Sequence, residues 1–263
     1  MRFPVAALVT TLGAAGVLFT AAADAETVKV GVTPGPHAQV LEAVAKVAAP
    51  QGLDLKVYEF TDGITINAAT ASGELNANSF QHLPFLQYDK RNTGYDLVPV
   101  AETILLPMAA YSRKFKSLSD LPAGAKVGIP NDSTNASRAL LLLQESGLIT
   151  LRNGGDVSST PLDIVQNPKT ITIAELEGAQ LPRVLDDLDA AVITSHYAIE
   201  AKLNPVKDSI ALESPQSKYN VVLVVRRQDQ QKPWVKELVD AYRSPQVKAF
   251  VADTFKGSIL TVW

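Results

Sequence analysis

TVKVGVTPGPHAQVLEAVAKVAAPQGLDLKVYEF, residues 27–60, decides the fold. TVKVGV (27–32) is a short β-rich run and reads as a strand. TPGP (33–36) is a turn. Val40, Leu41, Val44, Val47 and Ala48 then recur at helical spacing, which predicts an amphipathic helix over 37–49. Gly52 stops it, and LKVYEF (55–60) is the next strand. Strand, helix, strand makes a βαβ unit, which implies a parallel pair joined by a right-handed crossover. Loops at the C-terminal edge of parallel strands are where open α/β sheets hold ligands, so TPGP is a candidate binding loop.

The same alternation continues along the chain. Strands are predicted at 97–101, 104–112, 126–129, 171–176, 189–194 and 220–226. Helices are predicted at 64–73, 84–92, 118–121, 135–146, 180–187, 195–202, 232–243 and 245–255. SLSDLP (117–122) and NPKT (167–170) read as turns. No repeat or low-complexity tract interrupts the pattern, and the class is α/β.

Composition excludes several functions. Of 263 residues, 46% are hydrophobic and 19% charged, which fits a globular chain rather than a fibre or a disordered tail. Lys and Arg number 24 against 27 Asp and Glu, a net charge of −3 that argues against a nucleic-acid partner. Cysteine is absent, so there is no thiol nucleophile, thiolate metal site or disulfide. The three histidines, His37, His82 and His196, are far apart in sequence, and no metal site is expected from them. No GxSxG elbow, SxxK, phosphate loop or GxGxxG is present, so neither a catalytic residue nor a cofactor is expected. Asp186 with Asp187, and Glu175 with Glu177, read as solvated surface.

Arg2, the apolar run 4–23 and the small-x-small site Ala23-Asp24-Ala25 predict a cleaved export signal over residues 1–25. No later segment reaches the roughly 18–20 apolar residues of a spanning helix. The expected product is periplasmic, begins at Glu26 and carries no acyl chain. Intact-mass analysis of protein from the periplasmic fraction checks this; the mass of the uncleaved chain in the membrane fraction would refute it.

Two stretches carry candidate chemistry. In NSFQHLPFL (78–86), an extended 78–82 places Asn78, Phe80 and His82 on one face, with Phe85 near the same opening after Pro84 starts a helix. These residues wall a small pocket, or else form a buried aromatic pair with a core histidine. In NDSTNASRALLLL (131–143), Asn135 is the expected N-cap, which sets Arg138 in the first turn. A cation there opposes the helix dipole, whereas a bound carboxylate would welcome it. The alternative is an exposed Arg paired with Asp132 or water. In the carboxylate-anchor case, Arg138→Ala should leave the melting temperature of the empty protein nearly unaltered or slightly raised, because the dipole clash is relieved.

NANSFQHLPFL (76–86), AAYSRKFKSLSDL (109–121), IPNDSTNASRALLLLQESGLI (129–149), VQNPKTITIAELEGAQLPRVLDD (165–187) and the terminal Trp263 together resemble the NlpA/MetQ family of methionine-binding lipoproteins of ABC importers. The resemblance runs from about Val28 to Trp263. It implies a type II periplasmic binding protein, two α/β lobes with a ligand cleft between them. Lobe one is expected at 27–106 plus 228–263 and lobe two at 107–227. It further implies that Phe80 and His82 touch the ligand and that Asn135 and Arg138 hold its carboxylate; Phe85, beside the same opening, is the added candidate from the residues themselves. The implied partners are a small-molecule ligand and an inner-membrane permease with its ATPase; a monomer is the expected state. Envelope enzymes on the same scaffold, and a vestigial cleft with a non-transport role, are the competing readings.

Departures from the family bear on the ligand. The cysteine after the signal is missing. A common Tyr aligns with Gly63, and another with Phe85. Thr194 stands where methionine binders have Asn, and Asn220 is the candidate substitute for a second Asn in the return strand. These losses fall on groups that would receive an α-ammonium, whose unpaired burial is costly. They predict weaker methionine binding, or a different small carboxylate lacking a conventionally held α-amino group.

Overall fold

A computed structural model describes residues 26–263; the expected export signal lies outside the described residues. The opening unit forms as its sequence predicts, with β1 (Glu26–Val32), α1 (Pro36–Ala48) and β2 (Leu53–Glu59). The two strands are parallel, from Glu26 opposite Leu53 to Val32 opposite Glu59. Then come α2 (Gly63–Ser72), β3 (Ala77–Asn78), α3 (Leu83–Thr93), β4 (Leu97–Glu102), β5 (Ile104–Leu105) and β6 (Ala109–Tyr111). After these follow β7 (Lys126–Pro130), α4 (Ser133–Glu145), β8 (Thr150–Leu151), β9 (Ile164–Gln166), β10 (Thr172–Leu176) and β11 (Ala190–Ile193). The chain ends with α5 (Ser195–Glu200), β12 (Ser209–Leu212), β13 (Val222–Arg226), α6 (Pro233–Tyr242), α7 (Pro245–Phe255) and β14 (Leu260–Thr261).

Two five-stranded sheets result, ordered β2-β1-β3-β13-β4 and β10-β7-β11-β6-β12. In each, three neighbouring strands run parallel, the fourth (β13 or β6) runs against them, and the fifth (β4 or β12) pairs antiparallel with that fourth strand. Both faces of both sheets are covered. In the first, Val28 and Val30 of β1 and Leu223 and Val225 of β13 pack with Leu41, Trp234 and Leu238 from α1 and α6. Val222 and Val224 of the same β13 face Leu86 and Leu97 on the other side. In the second, Val127, Ile129 and Val192 pack on Leu140 and Leu143 of α4, while Tyr111, Ala191 and Ile193 pack on Leu181 and Leu185. Burial on both faces is why AAVI and VLVVR are continuous apolar runs rather than alternating ones.

The architecture is thus two α/β lobes, one per sheet, and the chain passes between the sheets over residues 103–108 and again over 213–221. β13, which the sequence reading places in the second lobe, belongs to the first sheet, so the return crossing precedes Val222. The strand predicted over 104–112 is two strands. Pro107 stands at the break and has no N–H for a ladder, so β5 pairs with β14 and β6 with β11 and β12. The helix predicted over 180–187 reduces to a short 3-10 turn at Leu185–Asp187, because Pro182 lies inside its first half. The short β3 and β12 were not predicted as strands; β12 is half exposed and shows no apolar alternation.

Candidate functional site

Six parallel strands, three in each sheet, end at one place. Thr33 follows β1, Asp62 follows β2, Phe80 to His82 follow β3, Asn131 and Asp132 follow β7, Glu177 follows β10, and Thr194 to His196 follow β11. All of them line one cavity of about 300 Å³ between the sheets, with Leu106 and Tyr219 from the crossing segments. The C-terminal-edge rule that singled out TPGP holds in both lobes.

Phe80, His82, Phe85, Asn135, Arg138 and Thr194 come together in this cavity. Asn220 does not line it. Its amide donates to Glu102 Oε2 at 3.3 Å, and Tyr219, one residue earlier, faces the cavity instead. A shift of one position turns an extended side chain to the other face. Asn78 also departs from the expected common face. The chain bends at Phe80, and Asn78 joins a buried amide network with Asn67, Thr70 and Gln81.

The aromatic wall is built from Phe80, Phe85, His82 and Tyr219. Phe80 and Phe85 meet edge to face with centroids 5.8 Å apart, and His82 meets Tyr219 at 5.0 Å. Gly63 makes room for it: a Cβ there would lie 2.3 Å from Phe80 Cε2. The ring of Phe80 therefore occupies the space that a side chain at 63 would need.

His82 caps α3. Its Nδ1 accepts the Phe85 N–H at 3.2 Å, so the ring proton sits on Nε2, which donates to Asn135 Oδ1 at 3.2 Å. Asn135 Nδ2 in turn donates to both oxygens of Asp132 at 3.1 Å. This chain joins one lobe to the other, as does the Ser133 hydroxyl, which donates to Tyr88 at 3.1 Å. Burial, with Arg138 nearby, lowers the His82 pKa to about 3. Burial lowers His37 to about 4, and His196, whose ring lies 5.6 Å from that of His37 across the lobes, falls well below its ordinary value. All three imidazoles are neutral at pH 7.

Asp132, not Asn135, caps α4: its backbone is extended and its carboxylate accepts the Asn135 N–H. The helix therefore starts at Ser133, and Arg138 lies in its second turn, 5% exposed. Its partner is Glu213, itself 8% exposed. Arg138 Nε donates to Oε1 at 2.9 Å and Nη2 to Oε2 at 2.5 Å, and Nη2 also donates to the Leu106 carbonyl at 3.0 Å. The guanidinium lies 4.6 Å from the centroid of the Tyr219 ring, over its face. Nη1 is the nitrogen not engaged by another described residue.

Sequence reasoning missed Glu213, Tyr219, His37, Asp62 and Glu177 as parts or supports of the site. The strand-end rule alone would have found His37, Asp62 and Glu177. Four buried polar atoms that line or border the cavity, Thr33 Oγ1, His37 Nδ1, Thr194 Oγ1 and the Tyr219 hydroxyl, have no hydrogen-bond partner among the described residues. Such atoms are rare and costly in a protein interior, which marks the cavity as a place for a polar guest. Among the described residues no cluster of three potential ligands suits a metal ion.

Residues 28–263 match the model of the NlpA lipoprotein family. The D-methionine-binding lipoprotein MetQ of Escherichia coli (strain K12) is 42% identical over 243 residues, 91% of this chain and 90% of its own. A nutrient-binding protein from Burkholderia cenocepacia, solved bound to methionine, is 50% identical with a TM-score of 0.87, over 90% of this chain and all of that one. An ABC transporter periplasmic substrate-binding protein from Coxiella burnetii is 40% identical, also with a TM-score of 0.87, over 89% of this chain and all of that one.

Proposed function

The chain belongs to the NlpA lipoprotein family, and from that premise we propose that it is an extracytoplasmic capture protein of an ABC importer, holding methionine or a related apolar amino acid between its lobes. Its partners on this reading are an inner-membrane permease and the attached ATPase. It binds and releases its ligand unchanged.

The observation that carries the ligand class is the charge of the cleft. Its one guanidinium among the described residues is already paired with Glu213, which stands behind it, and the wall itself carries Asp62, Asp132 and Glu177. Four carboxylates against one guanidinium favour a ligand that brings a positive charge of its own. The amide groups whose loss the sequence registers at Thr194 and Asn220 thus have a counterpart in carboxylates on other strand ends. An α-carboxylate is served by Arg138 Nη1, an α-ammonium by the acidic wall, and an apolar side chain by Phe80 and Phe85. Relatives named or solved with methionine support the same class.

Calorimetric titration at neutral pH tests this. L- or D-methionine should bind, and its deamino analogue, 4-(methylthio)butanoate, should bind at least tenfold more weakly. A lost hydrogen bond to a charged group is worth roughly 1.5–3 kcal/mol, which is tenfold or more. Equal affinities would remove the zwitterion reading. Recovery of altered methionine after incubation at saturation would replace capture with catalysis.

A further inference from the structure

We infer that Glu213 is a built-in counter-ion that sets the charge class of the cleft: by holding Arg138 it excludes simple anions and reserves the site for ligands with a positive charge. This rests on the amino-acid reading above only where methionine is used as the probe.

Glu213 is held firmly in place for this. Its Oε2 accepts the Met108 N–H at 2.9 Å and its Oε1 accepts the Ser217 hydroxyl at 3.0 Å, besides the two bonds from Arg138. Met108 lies on the outgoing crossing segment and Ser217 on the returning one, so both fix the carboxylate from behind. Arg138 is reached from the cavity side; Glu213 does not line the cavity. An entering carboxylate therefore meets Nη1 of a guanidinium whose charge is already compensated at hydrogen-bond distance. It also meets Asp62, Asp132 and Glu177, with no cationic imidazole to offset them. Discrimination by leaving the wrong ligand facing like charge is as effective as adding contacts to the right one. An amide at 213 would keep one acceptor but lose the charge and turn an N–H₂ toward the guanidinium, freeing the Arg138 fork for an external carboxylate.

Acetate is the probe for the first arm, read by NMR as saturable shifts of the Arg138 Nε–H resonance. In the wild-type protein acetate should produce no saturable shift up to about 100 mM. Glu213→Gln should bind acetate at least tenfold more tightly than wild type, and Glu213→Asp, which keeps the charge but shortens the reach, should gain clearly less than Glu213→Gln. Saturable acetate binding to the wild-type Arg138 at millimolar concentration overturns the inference, whether or not either variant folds. So does a folded Glu213→Gln without the gain, or an equal gain in Glu213→Asp. The second arm compares methionine with its deamino analogue, and the preference should narrow at least tenfold in Glu213→Gln. If wild type binds neither compound, the amino-acid reading fails and the acetate arm still decides the role of Glu213.

Discussion

Arg138→Ala is expected to weaken both ligand binding and the empty protein, and the second effect is the more telling. Glu213 would remain in place, 8% exposed, with the Met108 N–H and the Ser217 hydroxyl as its remaining donors. Breaking a buried pair from one side costs about 3–5 kcal/mol, because the surviving charge is uncompensated. For a chain of this size that corresponds to a fall in melting temperature of roughly 6–20 °C. The sequence reading, with Arg138 in the first turn of α4, expected almost no change; the cap at Asp132 and the pair with Glu213 reverse that expectation. Arg138→Met combined with Glu213→Leu should recover part of the lost stability, since an apolar pair of similar volume needs no counter-ion while the Met108 N–H loses its acceptor. It should not recover binding. Arg138→Lys should recover part of both, because an ammonium cannot make the planar two-pronged contact. Melts without ligand and titrations with methionine, on all three variants, separate the two effects. A single variant Arg138→Ala that melts like wild type would show that the Glu213 carboxylate is not left unpaired in the interior.

The parts of this molecule that could be read from sequence are those where the cause is local. The alternation of 27–60 forms β1, α1 and β2 within a residue or two, because periodicity and Gly52 act over a few positions. Phe80, His82, Phe85, Asn135 and Arg138 are named from short motifs and Thr194 from the family resemblance, and the fold carries them to one cavity because they sit at strand ends or in the first two turns of the helices that follow. Glu213 was invisible for the opposite reason. LESPQSKYN (212–220) reads as a polar surface loop, and only the packing of two crossing segments buries its glutamate. Asn220 failed by a single step of register, which local pattern does not fix in a half-exposed stretch. Asn135 failed as a cap because NDSTN offers several cap residues in a row; the extended backbone at Asp132 makes the choice.

Acidification from pH 7 to pH 5 should destabilise the protein by about 4 kcal/mol through His37 and His82 alone. Both are neutral in the folded state, with pKa values near 4 and 3 against 6.5 for an unconstrained imidazole. Between pH 6.5 and those values the unfolded chain binds protons that the folded chain does not, so stability is lost as the pH falls. Each site contributes about 2 kcal/mol by pH 5. His196 acts in the same direction. The carboxyls lowered by their hydrogen bonds, such as Asp163 and Asp189, titrate below this window. Asp89 and Glu200, raised by burial, oppose the trend, since their folded forms hold the proton more tightly. Because His37, His82 and His196 all line the cleft, opening the lobes exposes the same imidazoles to water, and acid should also promote release of a bound amino acid. His82→Asn keeps a good helix cap for α3 and removes one titrating ring, so it should remove about half of the pH 7 to pH 5 loss that these two histidines produce. Denaturant unfolding at the two pH values, on wild type and His82→Asn, measures this directly. A His82→Asn protein that loses as much stability as wild type from pH 7 to pH 5 would mean that the His82 imidazole takes up its proton in the folded cleft.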